Sequence, residues 1–330
     1  MNNCISSATA CIDCFRYAQS GSPTNKQAIT RVSLSQASAV HLHIGKPSKG
    51  KSHPNLVPQP DDSPEVPVTT STPVEIPQEQ HAMFREVLGV LEENKVPFAV
   101  AGAFALQEHT GICRWTKDLD IFLTAANTPL ALNSLRDQGF ECEITDPVWL
   151  AKAWRDDFFV DLITGMSNAV IVVEDSWIER AKTASIHEVK TRVLAPEELL
   201  ASKLFVVRRE RFDGADIAHV IYGTRGKLDW NRIMSLVGEH WEILLWELVL
   251  YRYVYPAHSN YVPVEIWRTL LDRFQSAIST PTPNAQFRGS LVDDNMFAVD
   301  VNDWGMPNML ERYRERRLRQ IAEFRQKPAV

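Results

Sequence analysis

The chain has 330 residues, of which 45% are apolar and 23% charged, and carries a net charge of −6. That is the make-up of a globular protein with material for one large core or two moderate ones. It excludes wholesale coating of nucleic acid and leaves only a local basic face for such contacts. Five cysteines, three of them at Cys4, Cys11 and Cys14, do not make a disulfide scaffold and fit a reducing, cytoplasmic setting.

Residues 1–78 are rich in Ser, Thr, Pro and Gln and show no sustained hydrophobic period. They read as a disordered tail ending in a Pro-punctuated linker, PNLVPQPDDSPEVPVTTSTPVEIPQ. No basic region followed by an apolar stretch marks a secretory signal. The scarcity of acids before residue 60 echoes a transit peptide, although a simple tail or an upstream start codon explains it equally. Cys11-x-x-Cys14 with His41 and His43 has zinc-ligand chemistry, but no compact pattern joins the pairs.

Order begins at Glu79. Met83, Val87, Leu88 and Leu91 recur at helical spacing, with Asn94 as a stop. PFAVA (97–101) reads as a short strand ending at Gly102, and 103–109 as a second helix. Residues 119–123 form a strand, 128–138 a helix closed by Gly139, and 140–144 another strand. FFVDLI (158–163) and 169–173 are further β-type runs. Pro196 opens a helix with Glu197 and Glu198 at its positive end, and Leu199, Leu200, Leu204 and Val207 as a buried stripe.

From Leu228 to about Ser279 the chain is helical, in two apolar segments divided by Tyr255-Pro256. The segment 241–255 is interrupted by Glu242, Glu247 and Arg252 and is shorter than the roughly 20 residues a bilayer needs. It reads as a buried helix, and Trp230, Trp241, Trp246 and Trp267 as core. Residues 287–305 read as a capping strand and turn. The closing helix, 309–326, carries Arg312, Arg314, Arg316, Arg317, Arg319 and Arg325, a solvated face or a surface for RNA phosphates.

The chemistry concentrates in VAGAFALQEHTGICRWTKDLDIF, residues 100–122. Asp118 and Asp120 leave the same face of a strand. Two such carboxylates repel each other unless cations sit between them, an arrangement that suits Mg2+. Asp161 lies amid Phe159, Val160, Leu162 and Ile163, where surface alternation explains a charge poorly. Gly102 lets the backbone approach a phosphate, and helix N–H groups after it attract the anion. Arg114 and Lys117 add positive charge to the same loop. A lone Asp-x-Asp is more often a solvated strand edge; the ordered set points to metal-assisted phosphoryl chemistry. His109 faces this loop and reads first as a packed core histidine.

The order of apolar strand, Gly, small residue, helix, Arg-x-Thr-x-Asp-x-Asp and a later strand Asp resembles the minimal nucleotidyltransferases of the DNA polymerase beta-like superfamily. It is similar in particular to the abortive-infection and toxin–antitoxin branch, where a helix with a lysine precedes an Arg/Asp-rich segment. Here that stretch is PEELLASKLFVVRRERFDGADIAHVIYG, with Lys203, Arg211 and Asp216 at the corresponding places. The resemblance implies an α+β fold: a mixed β-sheet core flanked by helices over 79–225, followed by a helical region over 226–330. It implies two Mg2+ ions, or Mn2+, on Asp118, Asp120 and Asp161. It further implies an NTP held by Gly102, Ala103, Arg114, Thr116, Lys117 and Lys203, with Arg211 and Asp216 in support. The implied activity moves a nucleoside monophosphate to an acceptor hydroxyl on RNA, a protein or a small molecule. A non-catalytic module of the same fold, recruiting a protein or RNA, is the alternative. Ala103 departs from the family's usual Ser or Gly, so phosphate binding there rests on backbone N–H groups alone. Lys203 has a second reading, as a solvent-facing residue of an amphipathic helix, and Arg211, Asp213 and Asp216 one as a structural ion-pair network.

Overall fold

The computed structural model describes residues 76–280 and 282–326; the tail, the Cys/His pairs and most of the proline-rich linker lie outside them. The first helix, α1 (Gln78–Glu93), buries Met83, Phe84, Val87, Leu88 and Leu91 and ends at Asn94. Then follow β1 (Ala99–Val100), α2 (Gly102–Thr110), β2 (Asp118–Phe122), α3 (Thr128–Asp137), β3 (Glu141–Asp146), β4 (Leu150–Arg155) and β5 (Phe158–Ile163). After α4 (Asp175–Arg180) comes a hairpin, β6 (Lys182–Ile186) and β7 (Val189–Val193). The remainder is helical: α5 (Pro196–Lys203), α6 (Gly214–Gly223), α7 (Trp230–Val237), α8 (Trp241–Val254), α9 (Val264–Ser279), α10 (Gly289–Val292), α11 (Ala298–Asn302) and α12 (Met309–Gln326). Among the described residues no helix is long and apolar enough to cross a membrane.

The seven strands form one mixed sheet in the order β3-β4-β5-β2-β1-β7-β6. β2 runs parallel to β5, β1 runs parallel to β7, and the other neighbours are antiparallel. The parallel pairing sets Asp120 directly opposite Asp161. Leu119, Ile121, Val160 and Leu162 point the other way and are fully buried, so the alternation that fills the core also aims the aspartates outward.

Several expectations need correction. Residues 169–173 are a turn, not a strand. Ala169 has a φ of 58°, the Asn168 side chain accepts from Val170 N at 3.1 Å, and one bridge joins Gly165 to Val172. The pairing of this apolar run is confined to that bridge, where Met166 N donates to Ile171 O and Val173 N to Thr164 O. Helix α5 ends at Lys203 and every one of its residues is buried; Val207 lies beyond it, bridged to Phe212. A one-sided stripe fails as a description because α2, α6 and α7 all pack against α5. Helix α8 is one-sided rather than buried, with Trp246, Val249 and Tyr253 exposed. Residues 287–305 contain the short helices α10 and α11 instead of a strand, wound around Asp293, whose carboxylate accepts from the backbone N–H groups of Arg209, Asn295 and Met296.

The C-terminal segment is tied to the sheet domain at several points. Asp294 pairs with Arg208 at 3.1 Å, while the Asn168 amide donates to Leu291 O at 2.9 Å. On α12, Arg314 reaches both Asp146 oxygens and Ser167 O, and the buried Arg317 donates to Thr164 O. Two members of the arginine run are therefore structural. Arg312, Arg316 and Arg319 are exposed.

One buried charge has no such service. Glu247 of α8 is 1% exposed, neither carboxylate oxygen has a hydrogen-bond partner among the described residues, and it lies against Gly214 at the start of α6. Burial pushes its pKa up to about 7. A carboxyl whose pKa rises on folding weakens the fold increasingly as pH climbs from its unfolded value toward the folded one. Glu247→Gln should therefore melt higher than the parent at pH 8, by an amount of order 3 kcal/mol, and equally near pH 4.5. Thermal melts of the two proteins across this range check it; a pH-independent difference would refute the ionisation account.

Candidate active site

β2 and β5 supply the centre of the site. Asp118, Asp120 and Asp161 each offer one carboxylate oxygen, and these three atoms lie within 4.8 Å of one another. Among the described residues this is the one group of three such ligands. Burial, then the neighbouring Asp118 and Asp161 charges, push the Asp120 pKa up to about 7. Burial also raises that of Asp161, against the pull of Lys152. Three hard oxygen donors that resist sharing negative charge fit a divalent cation such as Mg2+.

Gly102 is the first residue of α2. Its φ is 55°, and a Cβ there would stand 1.8 Å from Asp120 Oδ2, so the carboxylate packs directly over the bare Cα. A side chain is excluded at this position by both conformation and space. The N–H groups of the first turn of α2 have no partner within the helix, and this end borders the carboxylates. Together with Ala103, Arg114, Trp115, Thr116 and Lys203, these residues line a cleft of ≈ 330 Å³.

The basic side of the cleft is a network. Arg114 binds both oxygens of Asp216, each at 2.7 Å. Lys203 sits between Asp216 at 2.7 Å and Asp213 at 3.0 Å, and Arg211 grips both Asp213 oxygens at 3.0 Å. Burial opposes ionisation of Asp213 and Asp216, yet these cations hold both carboxyls below the ordinary range. Lys203 is buried, at 5% exposure, which removes its reading as a solvent-facing helix residue.

Residues 80–243 match the model of a family described as a nucleotidyl transferase of unknown function (DUF2204). This domain belongs to a nucleotidyl transferase family. No curated protein matches the chain in sequence. Among solved structures, ANT(2")-Ia in complex with adenylyl-2"-tobramycin is similar at 15% identity, over 54% of this chain and 99% of that one, with a TM-score of 0.33. The lincomycin-bound lincosamide antibiotic adenylyltransferase LnuA matches at 17% identity over 43% and 95%, with a TM-score of 0.32. An antigenic nucleotidyltransferase-like protein from Paracoccidioides brasiliensis matches at 18% over 56% and 93%, with a TM-score of 0.36.

In the nucleotidyltransferase domain the structure gathers Asp118, Asp120, Asp161, Gly102, Ala103, Arg114, Thr116, Lys203 and Arg211 around one cleft. Thr116 acts on a neighbour: its hydroxyl donates to Asp118 Oδ1 at 2.7 Å. Asp216 stands behind the cleft as the anchor of Arg114 and Lys203. Lys117 does not line the cleft; it is exposed, with its ammonium 5.7 Å from the Trp115 ring centre. It lies in the bend just before β2. His109 also stays outside, with Nε2 bonded to Leu194 O at 2.7 Å, as a packed core histidine.

Four contributors were not expected. Gln80 of α1, 2% exposed, donates to the carbonyls of Thr116 and Lys117 and so pins the loop before β2. Trp149 and Met166 form part of the apolar lining. Lys152, on the unpredicted strand β4, pairs with Asp161. A lysine between Ala151 and Ala153 in a run bounded by Leu150 and Trp154 was the available signal. The alanines, weak strand formers, hid it.

Proposed function

We propose that this domain moves a nucleoside monophosphate from an NTP to an acceptor hydroxyl and releases pyrophosphate. The observation that carries this reading is the meeting of three carboxylates within 4.8 Å beside the glycine-led start of α2. Asp118, Asp120 and Asp161 would hold two Mg2+ or Mn2+ ions, which when bound neutralise the phosphates and acidify the acceptor hydroxyl. The first-turn N–H groups at Gly102 and Ala103 would receive phosphate oxygens. Arg114 and Lys203 would supply further positive charge, held in place by Asp213 and Asp216. Trp115, half exposed at the rim, is suited to lie against a base. The acceptor oxygen bonds to the α-phosphorus, the bond from that phosphorus to the bridging oxygen breaks, and the hydroxyl proton leaves by way of Asp161.

Residues 79–225 would carry the catalysis, with 226–330 as a helical region that braces the cleft through Asp293, Asp294, Arg314 and Arg317. The test is to incubate the full chain with α-labelled NTPs and separate pools of cellular RNA, protein and metabolites, with and without Mg2+. Label retained on one pool only with metal, and pyrophosphate released in equal amount, is the expected result. Metal-dependent NTP binding without transfer to any pool would favour a non-catalytic module that recruits a partner.

A further inference from the structure

Helix α9 carries an apolar stripe that nothing covers among the described residues. Val264, Trp267, Leu271, Phe274 and Ile278 recur at intervals of three and four, the spacing that lines one side of a helix. Such a stripe ordinarily enters the core. Here Leu270, which lies outside the stripe, is the one buried residue of the helix. Trp267 is partly buried, and the other four members of the stripe are between 43% and 56% exposed. Leu270 in the core and Arg273, whose guanidinium lies 5.4 Å from the Trp241 ring centre, hold α9 along α8. From Leu271 onward every residue of α9 is exposed, so its second half leaves room for another helix alongside. No residue of α9 lines the catalytic cleft.

We propose that the α9 stripe is the seam of a two-fold dimer, covered by the same stripe of a second copy of this chain. The order of its side chains carries the proposal. From either end the stripe reads β-branched, aromatic, leucine, aromatic, β-branched. An antiparallel copy therefore sets Val264 toward Ile278 and Trp267 toward Phe274 on both sides of the axis, with Leu271 near its own counterpart. That is the condition for a closed, isologous interface, in which residue i meets j and j meets i. The area agrees with it. A standard interface covers roughly 800 Å² per partner, a little more than half of it apolar. Five large side chains, most of them about half exposed, offer on the order of 400–500 Å² of apolar surface per copy. Charge also permits the pairing, because Arg268, beside the stripe, falls near Gln275 of the second copy rather than near another cation. A lipid surface is the poorer occupant. The polar positions Glu265, Arg268, Asp272 and Arg273 mix both signs, whereas a helix lying on a membrane carries mainly Lys and Arg there.

Sedimentation velocity on the full chain tests this without reference to nucleotide transfer. Wild type should sediment as a dimer at about 100 μM, the association depending on chain concentration. Leu271→Glu brings two carboxylates together near the axis and should weaken association at least about 100-fold. Leu271→Lys should do the same with two ammonium groups, yet the two variants mixed in equal amounts should form a heterodimer. Phe274→Glu serves as a second variant of the seam. All three should keep the wild-type circular dichroism spectrum, because the side chains they replace are about half exposed. Wild type that stays monomeric at about 100 μM overturns the proposal and leaves the stripe to residues 1–75 or to a different protein. A dimer that persists undiminished in folded Leu271→Glu and Phe274→Glu overturns the α9 seam. Variants that dissociate alone and fail to associate when mixed overturn the two-fold arrangement about Leu271.

Discussion

Asp118→Asn and Asp120→Asn should each lower nucleotidyl transfer by at least about 10³-fold, the equivalent of about 4 kcal/mol in the barrier. Each change replaces one anionic ligand with a neutral amide in the group of three carboxylates that converge within 4.8 Å. The same change relieves repulsion among those carboxylates, so without metal neither variant should melt below the parent. This pairing of lost activity with kept stability separates a ligand from a structural residue. Asp118 has a further attachment, the Thr116 hydroxyl at 2.7 Å, which an asparagine oxygen still accepts. Transfer assays and metal-free thermal melts on the same preparations decide it. An Asn variant that melts several degrees lower without metal would assign the aspartate to the fold, and transfer persisting near the parental rate would remove it from the chemistry.

Gly102→Ala should cost at least about 10²-fold in transfer, together with roughly 1–3 kcal/mol of stability from the left-handed backbone. The added Cβ would stand 1.8 Å from Asp120 Oδ2, so either the carboxylate leaves the cluster or the start of α2 withdraws from it. Both outcomes damage the site, the first through the metal ligand and the second through the N–H groups offered to phosphate. Gly139→Ala is the matched control. Gly139 also has a positive φ, 80°, but a Cβ there meets nothing within 4 Å. That variant should lose a similar amount of stability from strain and keep its transfer rate. Equal activity in the two variants would show that backbone strain, not the close approach to Asp120, is the effect at Gly102. Near-parental transfer by Gly102→Ala would exclude the phosphate cradle.

Some of this protein was determined by short-range chemistry and could be read directly. The first helix announces itself because Met83, Val87, Leu88 and Leu91 share one face at helical spacing, and a buried face of that length leaves few alternatives. Asp118 and Asp120 share a face for a reason internal to one strand. Gly102 at the junction of a strand and a helix is likewise local. The strand around Asp161 stood out because a charge amid Phe, Val, Leu and Ile demands a partner.

Other features depend on which elements lie side by side, and no local pattern encodes that. Residues 169–173 have a strand's composition, yet buried contacts and the Asn168 side chain take them into a turn. Lys203 has the spacing of an amphipathic helix residue, but α2, α6 and α7 surround α5 and convert its position into a buried ion pair with Asp213 and Asp216. Arg314 and Arg317 look like members of a solvated run until α12 meets Asp146 and Thr164, far away in sequence. Lys152 becomes part of the site only through the register of β4 on β5, because a shift of one residue would turn it to the opposite face. Within one element the side-chain period assigns each residue a direction. Between elements, burial and charge pairing decide what that direction meets.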